Sequence, residues 1–117
     1  MFDQQAMRQR ILGVANMIIP LEGGPVPVKD VRIVAAPAFF DQTYGTTILD
    51  GDGSVVLRIS GKRSVSDVAD TVLHELAHVL LGVEHIDNPD HGVQFQETYE
   101  TLRRKYFDVV MEELTRD

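Results

Sequence analysis

Residues 64–82 constrain the fold of this chain more than any other segment. Ser64, followed three positions later by Asp67, is typical of a helix N-terminus, and Gly82 suits the C-terminal end. A helix over this segment carries apolar side chains on most of its circumference, so it must be buried and the rest of the chain must pack around it. Its apolar residues are Val65, Val68, Ala69, Val72, Leu73, Leu76, Val79 and Leu80.

Three ionisable residues interrupt this apolar helix, in the motif His74-Glu75-Leu76-Ala77-His78. Two histidines four residues apart project from the same helix face, so their ring nitrogens can converge on one metal ion. An imidazole without a partner is unfavourable in apolar surroundings, and a metal is a natural partner for it. Glu75 stands beside the first histidine and can act as a general base. The H-E-x-x-H pattern therefore predicts a metal site with hydrolytic chemistry.

A catalytic zinc site usually has a third protein ligand and keeps a fourth position for water. The metzincin motif, H-E-x-x-H-x-x-G-x-x-H, supplies a third histidine ligand. It would place glycine at position 81 and histidine at position 84, but this chain has Leu81 and Glu84. A shift of one residue turns a helix by about 100°, so the glycine and histidine one position later do not fit that pattern. Spacing alone leaves four candidates for the third ligand, namely His85, His91, Glu97 and Glu100.

The motif and the residues after it resemble the SprT-like zinc metallopeptidases. In that family H-E-x-x-H is followed by a loop and then by H-G-x-x-F or H-G-x-x-W, and residues 91–95 of this chain read H-G-V-Q-F. The resemblance implies one zinc ion per chain bound by His74, His78 and His91, with Glu75 as the catalytic base. It also implies a metallopeptidase that hydrolyses peptide bonds by Glu75-assisted attack of zinc-bound water.

Three alternatives remain open. Residues 74–82, H-E-L-A-H-V-L-L-G, also resemble the ImmA/IrrE-type metallopeptidases, which use a later glutamate as ligand; that resemblance favours Glu97 or Glu100. A metal-dependent hydrolase of a non-peptide bond shares the same zinc–water chemistry. The third alternative is a non-catalytic binding domain whose fold the metal stabilises. A purely structural metal site, however, has no need of a carboxylate such as Glu75 between its ligands.

Peptide hydrolysis also requires a donor to the developing oxyanion and a surface for the substrate. The candidate donors are Tyr44, Tyr99 and His85. In many zincins the edge of a β-strand binds the peptide by strand addition. Residues 55–59, just before the motif helix, are our candidate for that edge.

The rest of the chain predicts an α+β fold of the minimal zincin type, with residues 1–117 forming one domain. Residues 3–18 have helical periodicity, with Asp3 as N-cap and Pro20 near the end. A strand follows at residues 31–36, and Phe39 and Phe40 are expected to plug the core. Residues 46–49 and 55–59 flank a D-G-D-G turn and predict a hairpin. The expected sheet is therefore antiparallel or mixed, with about three strands.

After the motif helix, residues 83–91 read as a polar loop and a C-terminal helix begins at about Gly92. Its apolar stripe is typical of core packing and comprises Phe95, Tyr99, Leu102, Tyr106, Val109, Val110 and Leu114.

Composition narrows the choice of partners. The net charge of −7 repels phosphate backbones, so nucleic-acid binding is disfavoured and the expected partner is a protein or peptide substrate. The absence of cysteine excludes disulfides and thiolate zinc ligands. No signal peptide or membrane-length apolar run is present, so we expect a cytoplasmic protein. The sequence does not determine the oligomeric state.

Overall fold

A computed structural model describes residues 4–24, 26–35, 44–87 and 90–116, although the side chain of Asp87 is not included. The predicted α+β layout is confirmed: an N-terminal helix, a three-stranded mixed sheet, the buried motif helix and a C-terminal helix. In chain order the elements are α1 (Gln4–Leu21), β1 (Val28–Val34), β2 (Gly45–Leu49), β3 (Val55–Ser60), α2 (Val65–Leu80), α3 (Val83–Asp87) and α4 (Val93–Thr115).

Helix α1 is longer than predicted, because it continues through Pro20. Proline removes one backbone hydrogen bond, but in the last turn the helix tolerates that loss, and the Glu22 N–H still bonds to the Ile18 carbonyl at 3.0 Å. The helix then closes on Gly23, whose φ of +78° lets the Gly24 N–H reach the Ile19 carbonyl at 2.8 Å. The predicted cap Asp3 lies outside the described residues.

The sheet has the strand order β1-β3-β2. Strand β3 pairs in parallel with β1 and antiparallel with β2, so both of its edges are occupied. The prediction that residues 55–59 offer a free edge to a substrate is therefore wrong. A run of consecutive apolar residues, Val55, Val56 and Leu57, all fully buried, is what a central strand requires.

The outer edge of β1 is covered by α1. The Asn16 side chain donates to the Val28 carbonyl at 2.9 Å and accepts from the Val28 N–H at 2.8 Å, as a neighbouring strand would. Arg8 of the same helix bonds to Asp30 further along β1. Among the described strands, β2 forms the other edge of the sheet and pairs only with β3.

The predicted hairpin is confirmed, with β2 and β3 joined by the D-G-D-G turn. The Asp50 N–H bonds to the Ser54 carbonyl at 2.8 Å, and Gly53 has a φ of +83°, a conformation that favours glycine. The first strand was predicted at residues 31–36 but begins three residues earlier. Phe39 and Phe40, the predicted core plug, lie outside the described residues.

Helix α2 is the buried centre of the fold, as its apolar circumference predicts. Ser64 caps it by accepting the Asp67 N–H at 3.2 Å, and Gly82 follows its last turn with a φ of +100°. The helix packs against α1, α3, α4 and both strands of the hairpin. Residues 83–91 were predicted as loop, but Val83–Asp87 form the short helix α3.

Helix α4 begins after Gly92, as predicted, and packs along α2. Phe95, Leu102, Val110 and Leu114 of its stripe are buried, whereas Val109 is 37% exposed. Val110 lies about 40° around the helix from the buried Leu114, four residues later, whereas Val109 lies about 140° from it.

Candidate metal centre

Three histidines from two parts of the chain meet beside α2. His74 and His78 lie one turn apart on the helix, and His91 comes from the segment just before α4. One ring nitrogen of each lies within 4.8 Å of the others, and the group could hold a metal ion.

Phe95 forms the apolar floor of this histidine cluster. Its side chain is 1% exposed, and its ring centroid lies 4.4 Å from that of His78, 4.8 Å from that of His91 and 4.9 Å from that of His74. A phenylalanine one helical turn after His91 thus packs against all three imidazoles. The phenylalanine of the H-G-x-x-F motif belongs to the core, as predicted for the stripe, and also fixes where the histidines can lie.

A turn at the start of α4 positions His91. The Asp90 side chain accepts the Gly92 N–H at 2.9 Å, which closes a turn around His91. A Cβ at position 92 would lie 3.1 Å from that Asp90 oxygen, so glycine leaves room for the turn. The glycine of H-G-x-x-F therefore has a local steric role next to the histidine.

Burial keeps the helix histidines in the form that binds metals. It lowers the pKa of His78 to about 3, with the positive charges that His74, His85 and His91 can carry adding to the effect. Burial, followed by the charge of His91, also lowers the pKa of His74. Both imidazoles are consequently neutral at neutral pH, and neutral imidazole is the ligand form.

Glu75 follows His74 on α2 and is only 4% exposed. Thr47 of strand β2 donates its hydroxyl to Glu75 Oε1 at 2.8 Å and also lies 3.3 Å from the Glu75 carbonyl oxygen. Burial raises the pKa of the Glu75 carboxyl to about 7, and the Thr47 hydrogen bond partly opposes that shift. A carboxyl with such a pKa exchanges its proton readily near neutrality.

The site opens to solvent on the side of His91. His78 is 6% exposed, His74 is half-buried and His91 is exposed. Solvent exposure thus increases from His78 to His91, so one side of the histidine cluster is accessible and the opposite side is enclosed by apolar packing.

The remaining candidate donors have other partners. Tyr99 donates its hydroxyl to Asp70, and the Tyr44 ring lies 3.9 Å beneath the Arg63 guanidinium carbon. His85 Nε2 lies 2.7 Å from His78 Nδ1. None of these contacts directs a donor to a reacting carbonyl.

The alternative glutamate ligands do not join the histidines. Glu97 and Glu100 are exposed on α4, and within the described residues the group that could hold a metal consists of His74, His78 and His91.

Sequence reasoning missed Thr47 and the pairing of His85 with His78. Thr47 is 28 residues from Glu75 in sequence, and only the packing of β2 against α2 brings them together. No periodicity or motif reports such a contact.

The sequence matches no protein-family model, and neither curated proteins nor solved structures give a significant match. In the described part of the chain, no helix has the length and apolar character needed to cross a lipid bilayer.

Proposed function

We propose that this protein is a zinc-dependent metallopeptidase, in line with the resemblance of its motifs to the SprT-like zinc metallopeptidases. The observation that carries the proposal is the convergence of His74, His78 and His91 around a helix that also presents the buried carboxyl of Glu75. A metal that only staples a fold needs the ligands but not that carboxyl. The exposed positions of Glu97 and Glu100 favour this ligand set over the ImmA/IrrE-type one.

The donor set fits zinc. Three neutral imidazoles are a known catalytic ligand set for this ion, and the open side next to His91 leaves room for a fourth ligand. A zinc ion held by the three histidines would act as a Lewis acid, lowering the pKa of water to about 7 and polarising a carbonyl group.

Glu75 performs the proton transfers of the proposed reaction. It sits next to His74 in the sequence but points to a different side of the helix, so its oxygen acts beside the metal ligands and is not one of them. The carboxylate accepts the proton of the attacking water and delivers it to the leaving amine. Thr47 holds one of its oxygens at 2.8 Å and so restricts its orientation.

Strand β2 offers a surface for a peptide. The hydrogen bonds of Ser60 to Tyr44 and of Asp50 to Ser54 show that even-numbered residues of this hairpin face β3. The backbone groups of Gly45, Thr47 and Leu49 consequently point away from β3, toward the free edge. An extended peptide paired there by strand addition lies next to Glu75, because Thr47 contacts that residue.

Substitution of Glu75 by glutamine tests the proposed reaction. Glu75→Gln keeps the size of the side chain and removes its basic oxygen. We expect zinc content and melting temperature close to wild type, and peptide hydrolysis reduced by about a hundredfold or more, the contribution of a general base. The assay uses casein and a peptide library read by mass spectrometry, with and without zinc.

Glu97→Gln is the matched control, because Glu97 is an exposed acid outside the cluster; it should hydrolyse peptides like wild type. Zinc-loaded wild-type protein that cuts nothing in the library would contradict the peptidase proposal and favour a non-peptide bond. Activity retained in Glu75→Gln would instead disprove the role of Glu75 alone.

A further inference from the structure

His85 lies next to the metal site without belonging to the group that could hold the ion. It sits on the short helix α3, half-buried, with its Nε2 atom 2.7 Å from Nδ1 of His78. The two rings are inclined by 24° and their centroids are 4.9 Å apart. The two nitrogens therefore face each other at hydrogen-bond distance.

This separation excludes a metal ion between the two nitrogens. Two imidazole nitrogens bound to the same tetrahedral zinc ion stay about 3.3 Å apart, well beyond the 2.7 Å observed. One of the two nitrogens must therefore carry a proton and donate it to the other.

We propose that His85 is a positioning residue that holds His78 in the tautomer and ring orientation needed to bind the metal through Nε2. The inference rests on the metal site of the proposed function. A neutral imidazole that binds a metal through Nε2 carries its proton on Nδ1, and this proton needs an acceptor. The unprotonated Nε2 of His85 is that acceptor.

The surroundings of the pair support a fixed orientation. The His78 ring packs on Phe95, with centroids 4.4 Å apart, and the His85 ring is nearly parallel to the same phenylalanine at 6.2 Å. The Ile86 N–H bonds to the Gly82 carbonyl at 3.1 Å and anchors α3 directly after α2. The acceptor is thus attached to the ligand helix through a tight connection, and it does not depend on a distant loop.

Helix α3, which lies where sequence periodicity predicts a loop, carries His85 to His78. The connection after Gly82 turns the chain back toward the last turn of α2, so residues seven apart come into contact. His85 is then a partner of the ligand His78, and the third ligand is supplied by His91.

Two substitutions of His85 distinguish the effect of its hydrogen-bond acceptor on metal binding from the effect of its aromatic ring. His85→Phe keeps an aromatic ring and removes the acceptor, whereas His85→Gln places an amide oxygen near the position of Nε2. Titration with Co²⁺ and Zn²⁺ against a chromophoric chelator measures affinity, and the visible absorption of bound Co²⁺ reports ligand geometry. We expect His85→Phe to bind both metals about 10- to 100-fold more weakly with an altered cobalt spectrum, the effect typical of losing an outer hydrogen-bond partner.

His85→Gln should recover most of the affinity and the wild-type spectrum. Glu84→Gln, which changes an exposed residue on the same short helix, is the matched control and should behave as wild type. NMR of the zinc-loaded protein should show a slowly exchanging Nδ1 proton on His78 in wild type and not in His85→Phe. Circular dichroism of the metal-free proteins verifies that each variant is folded.

Equal affinity and identical cobalt spectra in wild type and His85→Phe would overturn the inference and leave the metal site standing. Complete loss of metal in His85→Phe, equal to that in His74→Ala, would overturn it by making His85 a ligand. Wild-type affinity in His85→Phe with weakened binding in His85→Gln would assign the effect to the aromatic ring and overturn the acceptor role. Failure of wild-type protein to bind either metal would refute the proposed function, and this inference with it.

Discussion

The residues of the site differ in how they depend on the fold. His74, Glu75 and His78 lie within little more than one helical turn, so helix geometry alone predicts which of them share a face. His91 could not be chosen over His85 by spacing, and only the family resemblance favoured it. Thr47 could not be predicted, because its contact with Glu75 requires the position of β2 beside α2.

Thr47 should affect catalysis more than stability. Thr47→Val removes the hydroxyl that restrains Glu75 and keeps the branched shape. A hydrogen bond to a charged group contributes about 1.5–3 kcal/mol, so we expect the kcat of peptide hydrolysis to fall about tenfold or more while zinc content is unchanged. Thr47→Ser retains the hydroxyl and should recover most of the rate.

Thr46→Val is the control on the opposite face of the same strand. The Thr46 hydroxyl is buried and has no hydrogen-bond partner among the described residues, so its removal should be neutral or slightly stabilising. A kcat in Thr47→Val equal to that of Thr46→Val would show that the Thr47 hydroxyl does not act on Glu75.

At the scale of the elements, the close approach of β2 to α2 determines the site. A Cβ on Gly45 would lie 2.5 Å from Thr71 Cγ2, 3.3 Å from Glu75 Cγ and 3.3 Å from the Arg58 carbonyl oxygen. The threonine side chain is stiff and the carbonyl belongs to the backbone, so neither can move away easily. Glycine at position 45 thus permits the strand to pass next to the base.

Gly45→Ala should therefore lower the free energy of unfolding by about 1–3 kcal/mol, as overpacking does. Gly13→Ala is the matched control, because Gly13 is exposed within α1 and a Cβ there meets nothing within 4 Å. It should stabilise the protein by about 0.5–1 kcal/mol through helix propensity. Denaturant melts measure both changes, and Gly45→Ala as stable as wild type would contradict the close packing of β2.

Most elements could be predicted from local signals. The hairpin turn, the Ser64 cap and the stripe of α4 each act within a few residues, and the structure has all three. Helix α3 was missed because five polar-rich residues show no period. The central position of β3 was missed although Val55, Val56 and Leu57 already indicate burial on both faces, because strand pairing is a non-local property.

At the scale of the whole molecule, one helix is both the packing centre of the fold and the source of most residues of the candidate site. Helix α2 packs on five other elements and supplies two histidines and the buried carboxyl. A metal held by His74, His78 and His91 joins this helix to the segment that precedes α4. The packing of α2 in the core therefore fixes the positions of His74 and His78, whereas His91 comes from the segment before α4.

Zinc content of purified protein tests this account most directly. Wild-type protein, passed through metal-free buffer after zinc loading, should retain about one zinc ion per chain, and His91→Ala should lose it as fully as His74→Ala. Glu97→Ala and Glu100→Ala should both retain the ion. Zinc retained in His91→Ala and lost in either glutamate variant would contradict the three-histidine site.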